Sequence, residues 1–183
     1  LCAPSYGAWT FTIKRKRLKK NILKESLEMF KKNLKKVLLT QVYLFLSALI
    51  IFLTYRQWKA EKEFSKGLAL AQANHHTKSG YHYKQANLYA PWEKRYVTYI
   101  GIYYETLARS SRHSILKKDL LKKAIFFYQK SLKTVSNDIW PQSGLVRSYM
   151  LLKDLEPNNH TYKTKLQEHK TLASKLCPSR KFY

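Results

Sequence analysis

The sequence predicts an all-α chain: a transmembrane helix followed by a solenoid of about two and a half helical hairpins. Three observations carry this prediction. Residues 37–55, VLLTQVYLFLSALIIFLTY, are nineteen positions without a charge. Beyond Arg56, small and aromatic residues recur at a 34-residue step. Strand signals are missing, and five glycines in 183 residues leave few places for tight hairpin turns.

A hydrocarbon core takes about 20 apolar residues in helical form, and residues 37–55 meet that length. Tyr43, Tyr55 and Trp58 stand where ring side chains sit at headgroup level. The alternative is a buried core helix, but a chain of 183 residues rarely surrounds one so uniformly apolar. A cleavable signal peptide does not fit. The run begins some 36 residues into the chain, its length exceeds the usual ~7–15 residues, and no small-residue cleavage site follows.

The formal net charge of +24 taken alone suggests a nucleic-acid binder, but its distribution argues otherwise. Residues 14–36 hold eleven Lys/Arg against Glu25 and Glu28, a net of +9. Such an excess beside a span marks the cytoplasmic side and places everything after residue 55 outside the cytoplasm. The remaining +15, from 24 basic and nine acidic residues over 56–183, is spread without a cluster. Solubility explains it as well as a polyanionic partner does, and no basic-aromatic module of a nucleic-acid fold is present.

Residues 1–13, LCAPSYGAWTFTI, are apolar up to Lys14 and read as the end of a preceding membrane span, with a leader segment as the alternative. Residues 14–36 then form a basic cytoplasmic link. Leu18, Ile22, Leu23, Leu27, Phe30 and Leu34 recur there at helical steps among lysines. That pattern makes an amphipathic helix suited to an anionic lipid leaflet, or a solvated helix leading into the span.

From Gln57 the pattern is soluble and helical. Helices are expected over 57–73, 79–89, 93–109, 117–134, 140–153 and 162–176. Residues 75–80 read as a turn; Pro91, Asn137-Asp138 and Pro157-Asn158-Asn159 supply the other breaks. Gly67 and Gly101 lie 34 residues apart, and Gly67, Ser79, Tyr83, Ala86 and Pro91 follow one another in the first copy. The second copy has Ile100, Gly101 and Tyr104, then Ala124, Tyr128 and Ser131, with eleven extra residues assigned to a hairpin loop at 110–120. A third first helix carries Leu145, Val146 and Tyr149.

This order and period resemble the tetratricopeptide repeat. Small residues let paired helices approach, an aromatic fills the gap, and proline ends the second helix. The chain departs from that pattern in lacking an opening Trp in the first two copies, in Lys66 and in Ser136. Repeats are thus expected over 56–160, with a polar capping helix and tail over 161–183. The inner face projected from the repeat carries Phe64 and Leu68, then Arg95, Thr98 and Glu105, then Trp140, Ser143 and Arg147, as a groove for a protein or glycan partner.

A basic loop, a final span and extracytoplasmic repeats together resemble the C-terminal region of O-antigen ligase/polymerase-type membrane proteins. The phrase ANLYAPWEKRYVTYIGIYY at 86–104 carries the resemblance within the repeats. It implies a bacterial inner-membrane protein with periplasmic repeats, whose glycan transfer chemistry lies upstream of this chain. A stand-alone, single-pass scaffold for an envelope complex is the alternative. A tethered polyanion binder is a third reading, and it predicts steep weakening with salt.

No catalytic residue, cofactor or metal is expected. His75, His76 and His82 lack a Cys or carboxylate at ligand spacing. Cys2 and Cys177 stand at opposite ends and do not suggest a disulfide. Nucleotide-binding, nucleophile-elbow and zinc-protease motifs are absent from the sequence.

Overall fold

The computed structural model describes the backbone of residues 7–179 and the side chains of residues 28–179. The described residues form six α-helices and no strand: α1 (Gly7–Gln72), α2 (His76–Tyr89), α3 (Lys94–Ser110), α4 (Ser114–Thr134), α5 (Ile139–Leu155) and α6 (His160–Leu176). The chain divides into two units, Leu1–Leu53 and Thr54–Tyr183.

In the first unit the helix passes residue 36 without a break. Neither glycine nor proline occurs between Ala8 and Lys66, so nothing in the backbone chemistry favours a kink. The basic link expected at 14–36 is therefore continuous with the apolar run. Of the preceding span expected at 1–13, residues 1–6 lie outside the described residues and 7–13 open α1.

Along residues 37–53 the large apolar side chains are open on every side of the helix, from 41% exposed at Leu49 to 70% at Phe45. The hydroxyls in this run are satisfied locally: Thr40 Oγ1 donates to the Lys36 carbonyl (2.9 Å) and Ser47 Oγ to that of Tyr43 (2.8 Å). They add little cost in an apolar surrounding. Among the described residues this is the one helix long and apolar enough to cross a membrane.

The second unit is a tetratricopeptide-like solenoid. Residues 54–72 of α1 pair with α2, α3 with α4, and α5 with α6. Asn74 makes the first turn with φ of 61°, a left-handed conformation that asparagine tolerates better than most residues. Three of the four later turns carry side-chain caps, the exception being His113 before α4. Glu93 accepts from the Arg95 amide (3.1 Å), Asp138 from Trp140 (3.0 Å) and Asn159 from Thr161 (3.1 Å). Each such cap contributes about 1 kcal/mol. Pro141 falls in the first turn of α5, where the missing N–H has no intrahelical partner to lose.

Two expectations need correction. The turn at 75–80 is shorter than expected: α2 begins at His76, and only 73–75 turn. The eleven extra residues of the second copy are not a loop either, since only 111–113 separate α3 from α4. Most of the added length is helix, α4 having 21 residues against 14 in α2. Residues 114–122, SILKKDLLK, hold good helix formers and neither Gly nor Pro. Leu121 within them is fully buried, so packing rewards the longer helix.

The small-on-aromatic spacing has a direct structural counterpart. A Cβ on Gly67 would stand 2.6 Å from the Tyr83 ring, and one on Gly101 would stand 2.7 Å from the Tyr128 ring. The same contact thus recurs in both hairpins. Two apolar clusters result, one around Phe64, Tyr83, Ala86, Tyr96 and Ile100, the other around Leu121, Ala124, Tyr128, Leu145, Leu152 and Leu166. Helix α6 buries Leu166, His169 and Ala173 and leaves its lysines outward.

Candidate partner-binding site

The first helices of the second and third hairpins, α3 and α5, enclose an open cleft of about 660 Å³ near their N-termini. Its walls are Glu93, Lys94, Arg95, Thr98, Tyr99 and Ile102 from the α3 side and Asp138 and Trp140 from the α5 side. Two capping acids shape its rim, because the residues that start α3 and α5 also face the opening. The Lys94 ammonium reaches Asp138 at 3.0 Å and ties the two helix starts together. Trp140, 63% exposed, presents the largest apolar surface.

Arg95 is held from behind. Its guanidinium pairs with Glu61 and lies 4.9 Å from the Phe64 ring centroid. Glu61 also accepts from the Tyr96 hydroxyl (2.8 Å), and burial together with that carboxylate pushes the Tyr96 phenol up to about 12. Thr98 turns its hydroxyl away from the opening, 2.8 Å from Ser131 Oγ on α4. Two acids and two bases line this cleft, so its charge is balanced despite the basic composition of the whole chain.

Of the eight groove residues expected from the repeat, Arg95, Thr98 and Trp140 meet at this cleft. Phe64 is core: it contacts Tyr83, Tyr96 and Tyr99 with centroids 4.8–5.7 Å apart. Leu68 packs at the edge of the same cluster, and Ser143 is buried on α5. Glu105 and Arg147 pair with each other. Arg147 Nε donates to Glu105 Oε1 (2.8 Å) and Nη2 to Oε2 (3.1 Å), a two-pronged contact. Tyr128 (2.7 Å) and Arg109 (2.8 Å) donate to the same carboxylate. Burial raises the Glu105 carboxyl, but Arg147, Tyr128 and Arg109 outweigh it and hold it below the usual carboxylate range.

Sequence reasoning did not single out Glu93, Lys94, Tyr99, Ile102 or Asp138. The capping role of Glu93 and Asp138 was the available signal, because equivalent helix starts in a solenoid come together. Sequence spacing likewise hid the partner of His82. Glu63, nineteen positions earlier on α1, lies 2.7 Å from its Nδ1. No cluster of three or more metal-ligating side chains exists among the described residues. Cys177 is a half-buried free thiol, and Cys2 lies outside the described residues.

No protein-family profile matches the chain, and comparison with curated proteins yields no match. Among solved structures, the Arabidopsis OM64 TPR domain is similar over 63% of this chain and 98% of that one, with 13% identity and a TM-score of 0.41. The recurring glycine–tyrosine contact and the hairpin order are what make the second unit tetratricopeptide-like.

Proposed function

We propose that the protein is a membrane-anchored scaffold that holds a segment of a partner protein in the α3–α5 cleft. The cleft carries the proposal. It is open, lined by Trp140, Tyr99 and Ile102, and rimmed by two acids and two bases, with Lys94 paired to Asp138 and Arg95 to Glu61 behind it. Such a surface suits a peptide with an apolar anchor side chain and polar flanks, and it offers a polyanion no net attraction. The anchor is residues 37–55. Their apolar side chains are uncovered within the first unit, and hydrocarbon is the surrounding that removes them from water. With residues 14–36 on the cytoplasmic face, the repeats lie on the other side of a bacterial inner membrane.

A finer reading makes this chain the C-terminal part of an O-antigen ligase/polymerase-type protein, with a glycan acceptor as the ligand. It is supported by the residue order at 86–104 and by the span-then-repeat arrangement. Further spans encoded upstream would support it, whereas an initiator codon immediately before Leu1 would remove it.

The scaffold reading is tested by placing a photo-crosslinking residue at position 140 in cells expressing the chain, with position 115 as control. The expected result is a discrete protein adduct from position 140, abolished by Tyr99→Ala. Identical adduct patterns at both positions, or adducts with lipid alone, would overturn it.

A further inference from the structure

We infer that the repeat domain has a second membrane contact, made by the end of α2 and its turn into α3 together with the residues that follow the uncharged run. The proposal rests on the membrane anchoring of residues 37–55. Two stretches far apart in sequence build the surface: residues 55–62 on α1 and residues 88–92 across the α2–α3 turn.

The antiparallel hairpin brings them together. Arg56 Nη2 donates to the Leu88 carbonyl at 3.0 Å, and its guanidinium lies 5.5 Å from the Trp92 ring centroid. The Lys59 ammonium is 4.6 Å from the Tyr89 centroid, and that of Lys62 is 5.3 Å from Trp58. Tyr55 and Trp58 stand with ring centroids 6.0 Å apart. Four large side chains remain open to the surroundings: Tyr55 (55%), Trp58 (57%), Leu88 (63%) and Trp92 (51%).

Aromatic rings interleaved with arginine and lysine suit the headgroup layer. The rings take the apolar boundary, and the long cationic side chains reach the phosphates. Electrostatics agree. Glu61 is engaged by Arg95 and Glu63 by Lys66 and His82, while Glu93 caps the Arg95 amide. Glu61 and Glu63 are thus paired, which leaves the cations Arg56, Lys59 and Lys62 in excess on this surface.

Distance agrees as well. Trp58 follows Tyr55, the last residue of the uncharged run, by three residues, a helical advance of about 4–5 Å. The headgroup layer beyond the hydrocarbon is roughly 5–7 Å deep on each side. Leu88 at the end of α2 and Trp92 of the α2–α3 turn are in contact with Arg56, between Tyr55 and Trp58.

The test uses the full chain in vesicles of phosphatidylcholine and phosphatidylglycerol carrying a lipid quencher near the headgroup. Cys2→Ser and Cys177→Ser remove the native thiols, and Leu88→Cys receives an environment-sensitive fluorophore. Ile115→Cys is the control, because Ile115 is 79% exposed and lies past the far end of the 17-residue α3, about 25 Å away along that helix. Trp92→Cys is a second, independent label site should Leu88→Cys not fold.

The expected result is at least twofold stronger quenching at position 88 or 92 than at 115, reduced by Arg56→Glu. Equal quenching in chains that float with the vesicles would overturn this contact and leave the anchor intact. Chains that do not float would overturn the anchor and this contact together. A protein crosslinked at position 92, with no quenching there, would assign the surface to a partner instead.

Discussion

Tyr83 and Tyr128 occupy equivalent places in the first and second hairpins, each pressed against a glycine of the preceding helix. Their surroundings differ. Tyr83 sits among rings, with Phe64 at 5.7 Å and Tyr99 at 5.4 Å between centroids. Tyr128 is also crowded by Gly144, and its hydroxyl donates to Glu105 within a buried cluster that includes Arg147. The first hairpin is therefore locked by shape and the second by charge as well. An apolar lock tolerates small displacements, whereas a two-pronged ion pair fixes α3 against α5 in one register. That is the pair of helices that frames the cleft.

The largest test of this contrast is Glu105→Ala. It strands Arg147 and the Tyr128 hydroxyl in the core. The expected loss is about 3 kcal/mol, near the low end for a broken buried pair, because Arg147 keeps 34% of its side chain in solvent. Denaturant melts followed by near-ultraviolet circular dichroism in detergent measure it. An unchanged midpoint would mean that the ion pair does not lock the helices.

Removing only the two hydroxyls sharpens the comparison. Tyr128→Phe loses a bond to a charged acceptor and should cost about 2 kcal/mol. Tyr83→Phe keeps its ring contacts and should cost well under about 0.5 kcal/mol. Equal costs in the same melts would erase the distinction between the hairpins.

The smallest effect is expected at α6. The His169 ring stacks on Tyr149 at 5.6 Å, and its Nδ1 lies 3.0 Å from Gln142 Oε1. Burial holds this imidazole below its ordinary pKa, against the opposing pull of Glu168 and with help from Lys165. The unfolded chain therefore takes up the proton first. The His169 contribution is fully present above about pH 6.5 and is lost as pH falls from there through the folded value. The lowered carboxylates, Glu63 and Glu105, act below the ordinary carboxylate range, at lower pH. The melting temperature should thus decline between pH 7 and 5, and His169→Gln should flatten the decline. Parallel pH profiles for the two proteins would exclude this histidine as the source.

Helix identity was legible because the relevant signals are local. Pro91, Asn137-Asp138 and Pro157-Asn158-Asn159 mark real ends, and their caps lie within two residues of the helix starts. Projection of the inner face set eight residues on one surface, and the structure places them at different depths. Repeat spacing identifies which helix faces inward, but it does not tell a residue at the opening from one a turn deeper. Arg95 and Trp140 face the opening, while Phe64 and Ser143 are buried. Placing the eleven extra residues in a loop failed because period counting locates an insertion without assigning its conformation.

The sequence by itself determined the all-α class, the uncharged run at 37–55, the 34-residue period and most helix ends. Each depends on composition or on neighbours within a few positions, where backbone propensity and hydrophobic periodicity act. Only the tertiary structure decided that Glu63 meets His82, that Glu105 gathers Arg147, Tyr128 and Arg109, and that Arg56 meets Leu88 and Trp92. Most of these contacts join residues separated by 19 to 42 positions. Hairpin pairing and helix stacking close those distances, and no local propensity encodes which side chains will then touch.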